Sequence, residues 1–359
     1  MELHISQQED INALIIIVTE SWYIFPVPLL FINEHDWSKI SYGLQIKHYN
    51  FRGRNEKVSL GGWLGYNPAF YLNYFNPWIG NKTRLIFGTG ISKNEIANKI
   101  FDFDEDRWGF NITVGRKLNL NFDTQISFSY QKVSLPNEYQ YYSISGDGTD
   151  FVPTITLQLK WDKRDLFEYP RKGYYFTYNF RRTGFQKNQP RFWRFEFDNR
   201  IYIPVYRLTS LAARQLFVFN TNNLPIYDRV FLGFAERIRG YFYDVFPDPA
   251  LYEKYTSTNI SLTSIELRFP VFPIRYFTLK NGPIFPSLYQ DLKFGISGGI
   301  FMDSGIAWQE KNQFTLSNFY SGYGLGLHFH LPYVFIIRFE YAISDQGKGQ
   351  FIIDAEVAF

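Results

Sequence analysis

The chain has 359 residues, no cysteine, and a formal charge of +3 from 37 basic and 34 acidic residues. A chain without cysteine has neither a disulfide framework nor a thiolate metal site, and the near balance of charge gives no electrostatic basis for binding nucleic acid. Aromatic residues make up 20% of the chain and the mean hydropathy is −0.24, which disfavours membrane-spanning helices and is typical of strands whose residues face lipid and water in turn.

The first 36 residues differ from the rest of the chain. Residues 11–18 form a β-branched apolar run, but Glu20, Pro26 and Pro28 follow it and exclude a membrane helix. We therefore predict that residues 1–36 contain the end of a periplasmic module and a rigid linker. Acidic residues precede the apolar run, where a signal peptide would need a basic region, so we expect a mature or truncated form.

From residue 37 onward, apolar and polar residues alternate with a period of two. In 151–162, for example, Phe151 and Trp161 share one face while Thr154 and Lys160 share the other. Marking every such run predicts sixteen strands, an even number as in bacterial barrels. The predicted strands are 40–48, 57–66, 69–76, 83–92, 96–104, 108–117, 121–131, 152–162, 173–182, 192–202, 209–219, 258–268, 293–302, 321–330, 334–342 and 351–359.

A soluble β-sandwich also alternates, with its apolar face turned inward. Two features favour a membrane barrel instead. The predicted strands are about ten residues long, as a tilted bilayer crossing requires, and their apolar faces are rich in Phe and Tyr. The predicted fold class is therefore all-β, a 16-stranded antiparallel transmembrane β-barrel over residues 37–359.

The lengths of the predicted connections support this interpretation if the N-terminus is periplasmic. Every second connection should then be a short turn, and four of them are: 66–68, 92–95, 118–120 and 331–333. The longest connections, 132–151, 220–257 and 303–320, fall where extracellular loops should. The proline-containing connections 163–172 and 269–292 are longer than this scheme predicts.

Four separated segments carry a resemblance to a known superfamily. The run 237–241 resembles its V-R-G-F/Y loop tip, and 161–173 resembles a D-x-R-D…P-x-K-G strand, turn and strand. The runs 264–270 and 299–305 resemble its S-x-E-x-R-x-P and F-x-D-x-G strands. The chain thus resembles the outer-membrane assembly and translocation barrels that include BamA and TamA, barrels of the bacterial surface-antigen type. The run 18–23 resembles the closing strand of a POTRA module, which implies that 1–36 is the remnant or end of a periplasmic POTRA-like module plus a linker.

The long loop is expected to fold into the barrel lumen. Glu266 shares a strand face with Ser264 and Arg268, opposite apolar neighbours, so its carboxylate should point into the lumen. Gly240 allows a sharp bend, and the guanidinium of Arg239 suits a carboxylate partner. We predict, as the resemblance also implies, that the tip Arg239-Gly240-Tyr241 is held by Asp303 with Glu266 close by. The alternative is that Arg239 is an ordinary solvated loop charge.

The first and last predicted strands should meet at a weak lateral seam. Glycines just before 351–359 weaken pairing there, and the resemblance implies that the C-terminal residue is a signal read by the assembly machinery. The predicted seam residues are Tyr42, Gly43, Leu44, Gly347, Gly349, Phe351 and Phe359.

The sequence gives little support for an enzyme. His328 and His330 lie two apart on one strand, which would suit a metal, but no third ligand is evident and a hydrogen-bonded lumen pair is the preferred interpretation. The chain contains no P-loop and no H-E-x-x-H motif. We predict no metal, no cofactor and no covalent chemistry, although folding could join a Ser and a His into a barrel phospholipase.

The resemblance implies a function in the Gram-negative outer membrane: insertion or translocation of unfolded client proteins through the lateral seam. The implied partners are outer-membrane lipids including lipopolysaccharide, client outer-membrane or secreted proteins, and other subunits of an outer-membrane complex, with no nucleic acid. The alternative function is a diffusion channel or a structural subunit without insertase activity.

Overall fold

The computed structural model describes the chain except for residues 1, 9–10, 18–22, 34–37, 81, 99–102, 222–223, 233–237, 242–255, 280–289, 333–335 and 356–358. In this described part of the chain, no helix has the length and apolar character that a membrane crossing needs.

The main architecture is one sheet of sixteen strands in which every neighbouring pair is antiparallel. The prediction of an all-β, 16-stranded antiparallel barrel is confirmed. Its strands are β3 (Ile24–Ile32), β4 (Ile40–Phe51), β5 (Glu56–Gly65), β6 (Ala69–Ile79), β7 (Leu85–Ala97), β8 (Asp104–Lys117), β9 (Phe122–Ser134), β10 (Thr149–Asp162), β11 (Gly173–Thr183), β12 (Phe192–Tyr206), β13 (Thr209–Asn220), β16 (Asn259–Phe277), β17 (Leu292–Trp308), β18 (Tyr320–His330), β19 (Ile337–Ser344) and β20 (Gly349–Ala355).

Two small sheets lie outside this order. β1 (Glu2–Gln8) pairs with β2 (Ile11–Ile17) as a hairpin, so the predicted apolar strand near the N-terminus is present. β14 (Val230–Phe231) pairs with β15 (Thr256–Ser257) at the base of the long loop. The POTRA-like identity of the first segment remains a prediction, and most of its motif, 18–22, lies outside the described residues.

The first strand of the barrel is β3, and the prediction of a linker there is wrong. β3 pairs with β4 along its whole length, from Ile24 opposite His48 to Ile32 opposite Ile40. The sequence IFPVPLLFI does not show the pattern of a strand, because it is apolar throughout, without alternation, and contains two prolines. The predicted seam residues Tyr42, Gly43 and Leu44 therefore lie on the second strand, not on the first.

The predicted number of sixteen strands is nevertheless correct, because a second error added one strand and compensated for the missed β3. The runs 83–92, 96–104 and 108–117 were predicted as three strands, but they form only the hairpin of β7 and β8. The predicted turn 92–95 lies within β7, where Lys93 faces Trp108 and its ammonium is 3.9 Å from the Asp106 carboxylate. The polar residues here extend the hairpin rather than end a strand.

Antiparallel pairing places the connections alternately at two ends of the barrel. We call the end with the long connection 221–258 the loop end and the opposite end the turn end. Because β3 adds one strand before β4, the short turn 66–68 is the third connection of the barrel and lies at the loop end, contrary to the prediction.

The long predicted connection 269–292 consists largely of strand. β16 continues to Phe277 and β17 begins at Leu292, with register shifts near Pro270 and Phe272.

Alternating residues separate an outer apolar surface from a packed interior. On β17 to β20, Ile300, Leu325, Tyr341 and Phe351 are between 48% and 64% exposed on the outer face. The opposite face carries buried residues, and many of them are charged: Glu266, Arg268, Asp303, Arg338 and Glu340. Buried charge on the inner wall makes the lumen the place to look for a functional site.

Candidate functional site in the lumen

The tip of the long loop lies inside the barrel. Ile238 is 1% exposed and packs against apolar residues of β13 and β16, among them Leu216, Ile260 and Leu262. Residues 233–237 and 242–255 of the loop are outside the described part. The buried Ile238 holds the following residue, Arg239, against the inner wall.

Arg239 makes a two-pronged ion pair with Asp303 on β17. Its Nε is 2.6 Å from Asp303 Oδ2 and its Nη2 is 2.9 Å from Asp303 Oδ1, while its backbone N–H also donates to Oδ2. The third nitrogen, Nη1, donates to Glu266 at 2.9 Å and to Glu340 at 3.0 Å. The guanidinium lies 3.5 Å from the centre of the Phe301 ring, so the structure brings together the predicted trio of Arg239, Asp303 and Glu266.

Glu340 on β19 is a site residue that sequence reasoning missed. It is fully buried, and its second oxygen accepts a hydrogen bond of 2.7 Å from Arg338. Arg338 also bonds Asp354 on β20 at 2.9 Å. The only available signal was alternation, since Arg338 and Glu340 are charged residues on the inner face of a strand whose other face carries Phe339 and Tyr341. The cluster thus reaches the last strand of the sheet.

Glycines provide the space that the loop tip occupies. Gly322 lies on β18 beside the loop tip. A Cβ atom at this position would be only 1.9 Å from the carbonyl oxygen of Arg239, so only glycine leaves room for the tip. Gly240 has φ of +101°, in the region that favours glycine, and a side chain there would meet the β19 backbone at Ser344. The tip therefore lies directly on the backbone of β18 and β19.

Tyr241 completes the contact at the loop end. Its hydroxyl donates to the carboxylate of Asp345, in the turn between β19 and β20, and its ring meets that of Tyr320 at 5.4 Å. Gly347 lies in the same turn with φ of +78°. The loop tip is thus bonded to the connection that leads into the last strand.

Glu266 joins the loop tip to a second buried group. While its Oε2 binds Arg239, its Oε1 accepts a hydrogen bond of 2.7 Å from Arg268 Nε. Arg268 Nη2 in turn donates to the backbone oxygen of Phe359 at 3.3 Å. One carboxylate therefore connects the loop tip with the C-terminal residue.

Phe359 is not on the seam, contrary to the prediction. β20 ends at Ala355, and Phe359 lies 2% exposed against Tyr202 of β12 and Ala212 of β13. A strand continuing to 359 would have kept this side chain on the outer face with Phe351 and Ile353. Phe359 also accepts a hydrogen bond from Arg268 of β16, and β12 and β13 lie on the other side of β16 from the last strand.

His328 and His330 sit in a hydrogen-bonded lumen cluster. The Tyr169 hydroxyl, from the connection 163–172, is 2.9 Å from His328 Nδ1, and Ser297 Oγ is 2.8 Å from His330 Nε2. Insertion of Tyr169 across the lumen explains why this turn-end connection is long. Glu266, His328 and Glu340 place possible metal ligands within 4.8 Å of one another, but both carboxylates already accept hydrogen bonds from arginines.

The protonation of the two inserted loop residues follows from their surroundings. Burial lowers the pKa of Arg239, but Asp303, Glu266 and Glu340 together raise it further, so the guanidinium stays charged. Burial raises the pKa of Tyr169 above its usual range, so its phenol stays neutral and can donate to His328. Arg239 therefore remains a cation that can pair with the carboxylates around it, and Tyr169 remains a hydrogen-bond donor.

Comparisons with known proteins agree with this architecture. A family model described as the Omp85 superfamily domain matches residues 50–352. The fold is similar to the crystal structure of BamA from Haemophilus ducreyi lacking POTRA domains 1–3, with a TM-score of 0.65 and 14% identity, over 99% of this chain and 73% of that chain.

Two further solved structures share the fold. CdiB from Escherichia coli has a TM-score of 0.59 and 14% identity over 99% of this chain, and CdiB from Acinetobacter baumannii has 0.56 and 13% over 89%. The chain spans 65% and 57% of the lengths of these two structures, respectively. Among curated proteins, none matches the chain.

Proposed function

Because the chain belongs to the Omp85 superfamily, we propose that it assists the membrane insertion or secretion of client proteins through a seam between β3 and β20. Members of this superfamily are β-barrels of the Gram-negative outer membrane, and this chain is such a barrel. The proposed partners are unfolded outer-membrane or secreted proteins and outer-membrane lipids including lipopolysaccharide. Other subunits of an outer-membrane complex are further proposed partners.

One observation carries this proposal: within the described residues, the sheet ends at β3 and β20 and these two strands form no ladder with each other. Unpaired backbone groups are costly in hydrocarbon, where each needs a partner. A strand edge in this position is a template for another chain. The process is non-covalent, because strand pairing supplies the interaction.

We propose that the lumen cluster holds the wall beside the seam in place. Arg239 joins β16, β17 and β19 through Glu266, Asp303 and Glu340, and Arg338 extends the cluster to Asp354 of β20. The last strand is thereby fixed to an ordered wall while its outer edge remains available. In this account the loop is a lumen lock and the seam binds the client.

The proposal is tested by reconstituting the protein in liposomes and adding a small outer-membrane barrel protein denatured in urea. We expect folding of this probe, read as heat-modifiable migration on gels, to be several-fold faster than in empty liposomes, since a template lowers the cost of the first strand pairing. A rate equal to that of liposomes carrying an unrelated closed barrel would contradict it.

The alternative functions make different predictions. A diffusion channel would give steady conductance in planar bilayers, whereas the inserted loop tip, Tyr169 and Phe359 occupy the lumen and predict small, irregular currents. A phospholipase would need a reactive serine. Ser297 does contact His330, but the two side chains are buried inside the barrel, so we expect no labelling by serine-reactive probes.

A further inference from the structure

A row of neutral polar side chains lies on the outer wall of the barrel, where apolar residues are expected. Its five members are on strands that are neighbours in the sheet, β12, β13, β16, β17 and β18, and each lies directly opposite the next. All five are partly exposed and share the outer face with apolar neighbours such as Ile201, Ile265 and Met302. This polar row consists of Asn199, Gln215, Thr263, Ser304 and Ser321.

The polar row crosses the apolar band of the wall obliquely. Asn199 is the middle residue of β12, and Ser321 is the second residue of β18, at the loop end. On the other side of Asn199, the register continues through Phe176 of β11 to Trp161, the last residue but one of β10, at the turn end. Strands of such barrels are about 4.8 Å apart and tilted by about 40°, so these six steps span about 18 Å of a band about 25 Å tall.

A second row on the same wall shows the composition that lipid contact favours. Its residues are also directly opposite one another, from β8 to β13, and all of them are apolar: Val114, Ile126, Leu157, Phe180, Phe195 and Phe219. Lipid tails offer no hydrogen bonds, so polar side chains that face them are costly. Polar residues within the membrane therefore indicate a function.

The hydrogen bonds within the polar row do not use all of its donors and acceptors. Its two serines bond each other, with their hydroxyl oxygens 2.9 Å apart. Asn199 Oδ1 accepts a hydrogen bond of 3.0 Å from the Tyr178 hydroxyl, whereas the Asn199 NH2 group has no partner among the residues that the structure describes. Amides and hydroxyls both donate and accept, so the row can bond a polar molecule that lies against the wall.

We propose that the polar row is a path for phospholipid headgroups, and that the barrel thereby accelerates the exchange of phospholipids between the two leaflets. Lipid covers the outer wall of an outer-membrane barrel, so a phospholipid is the molecule that meets this row. Exchange is slow without a protein because the headgroup must give up its hydrogen bonds to water inside hydrocarbon. This inference goes beyond the proposed function, since it requires neither the seam nor a client.

The chemistry of the polar row suits passage rather than tight binding. A path of this kind needs several weak sites in succession, because a headgroup held firmly at one of them would not move on. The row contains no charged residue, and its amides and hydroxyls can donate in turn to the phosphate oxygens of the headgroup. Beyond Asn199, one apolar step at Phe176 leads to Trp161, whose indole N–H is a further donor. Aromatic residues at such a position are typical of the membrane surface.

Lipid exchange can be measured in liposomes of phosphatidylcholine that carry a fluorescent, NBD-labelled phospholipid in both leaflets. Dithionite added outside destroys the label of the outer leaflet at once, and the remaining label is lost only as lipids cross. We expect this second phase to be about tenfold faster with the wild-type protein than without protein, as two hydrogen bonds kept during the crossing imply. Liposomes with entrapped NBD-glucose show whether dithionite enters. A second phase no faster than in protein-free liposomes would overturn the proposal.

Two double variants test whether the row itself is the path. In Gln215→Leu with Thr263→Val, which removes two consecutive members, we expect the second phase to slow by about tenfold relative to the wild-type protein. Tyr74→Phe with Thr89→Val is the matched control, since it removes two polar groups from an adjacent outer pair on β6 and β7. Apolar replacements suit lipid, so both variants should fold, which heat-modifiable migration verifies. Equal exchange rates in the two variants would overturn the proposal.

These measurements separate the inference from the proposed function. If the wild-type protein accelerates folding of the denatured probe but not lipid exchange, the proposed function stands and the lipid path is wrong. If lipid exchange depends on Gln215 and Thr263 while the probe folds no faster than in empty liposomes, the lipid path stands and the proposed function fails.

Discussion

Replacing Arg239 with alanine is expected to release the loop tip from the lumen. The substitution removes every bond that the guanidinium makes to Asp303, Glu266 and Glu340. It leaves these buried carboxylates with one cation fewer, and breaking a buried pair in this way costs about 3–5 kcal/mol. We expect proteolysis within 221–258 to accelerate about a hundredfold or more, since each 1.4 kcal/mol corresponds to about tenfold.

Two variants make this measurement specific. Arg239→Lys keeps the charge but cannot form the two-pronged contact with Asp303, so we expect an intermediate cleavage rate. Arg229→Ala removes the same charge from the same loop, outside the cluster, and should leave cleavage at the wild-type rate. If Arg239→Ala and Arg229→Ala are cleaved at the same rate, Arg239 does not hold the loop.

Replacing Glu266 with glutamine is expected to destabilise the barrel wall as well as the loop. Glu266 is 1% exposed and its two oxygens bind two different arginines, Arg239 and Arg268. The neutral side chain would leave buried positive charge uncompensated, at a cost of about 3–5 kcal/mol if burial is complete. Urea unfolding of the barrel in detergent should show this loss, and Glu196→Gln on β12, which is only partly buried, should show little.

A second substitution distinguishes charge imbalance from general disruption. In Glu266→Gln with Arg268→Met, the number of buried cations again matches the number of carboxylates, so we expect the double variant to recover part of the lost stability. Residues in one ion-pair network are non-additive in this manner. Strictly additive losses from the two substitutions would show that Glu266 and Arg268 do not act together.

The strands could be predicted from the sequence wherever one face meets lipid and the other meets a polar interior. β10 and β18 are clear examples, because apolar and polar or small residues alternate along them. β3 could not be predicted, since its two faces are both apolar and its two prolines are tolerated only because β3 is the outermost strand of the described sheet. That information belongs to the pairing with β4, and no local pattern contains it.

The site was predictable in part for a similar reason. Asp303 and Glu266 lie on inner faces that alternation defines, and a loop arginine requires such a partner. Glu340 is placed beside Arg239 by the order of β16 to β19 in the sheet, which the sequence does not state. The position of Phe359 depends on the path of the chain after Ala355, and Tyr169 reaches His328 from a connection on the other side of the lumen.

The lock and the seam together suggest how one barrel can be both stable and able to bind a strand. Charge pairs fix β16 to β20 through Arg239, Arg268 and Arg338. Under the proposed function, binding of a client strand at the seam would therefore require little reordering of this wall.

Closing the seam covalently tests the central claim most directly. Leu30→Cys and Phe351→Cys would be joined by a cleavable bis-maleimide, with Leu325→Cys and Tyr341→Cys, an adjacent outer pair on β18 and β19, joined as the control. We expect the cross-linked seam to leave the barrel folded but to reduce folding of the denatured probe to the rate in empty liposomes, with recovery on cleavage and no effect of the control link. Undiminished activity with the seam closed would contradict the account.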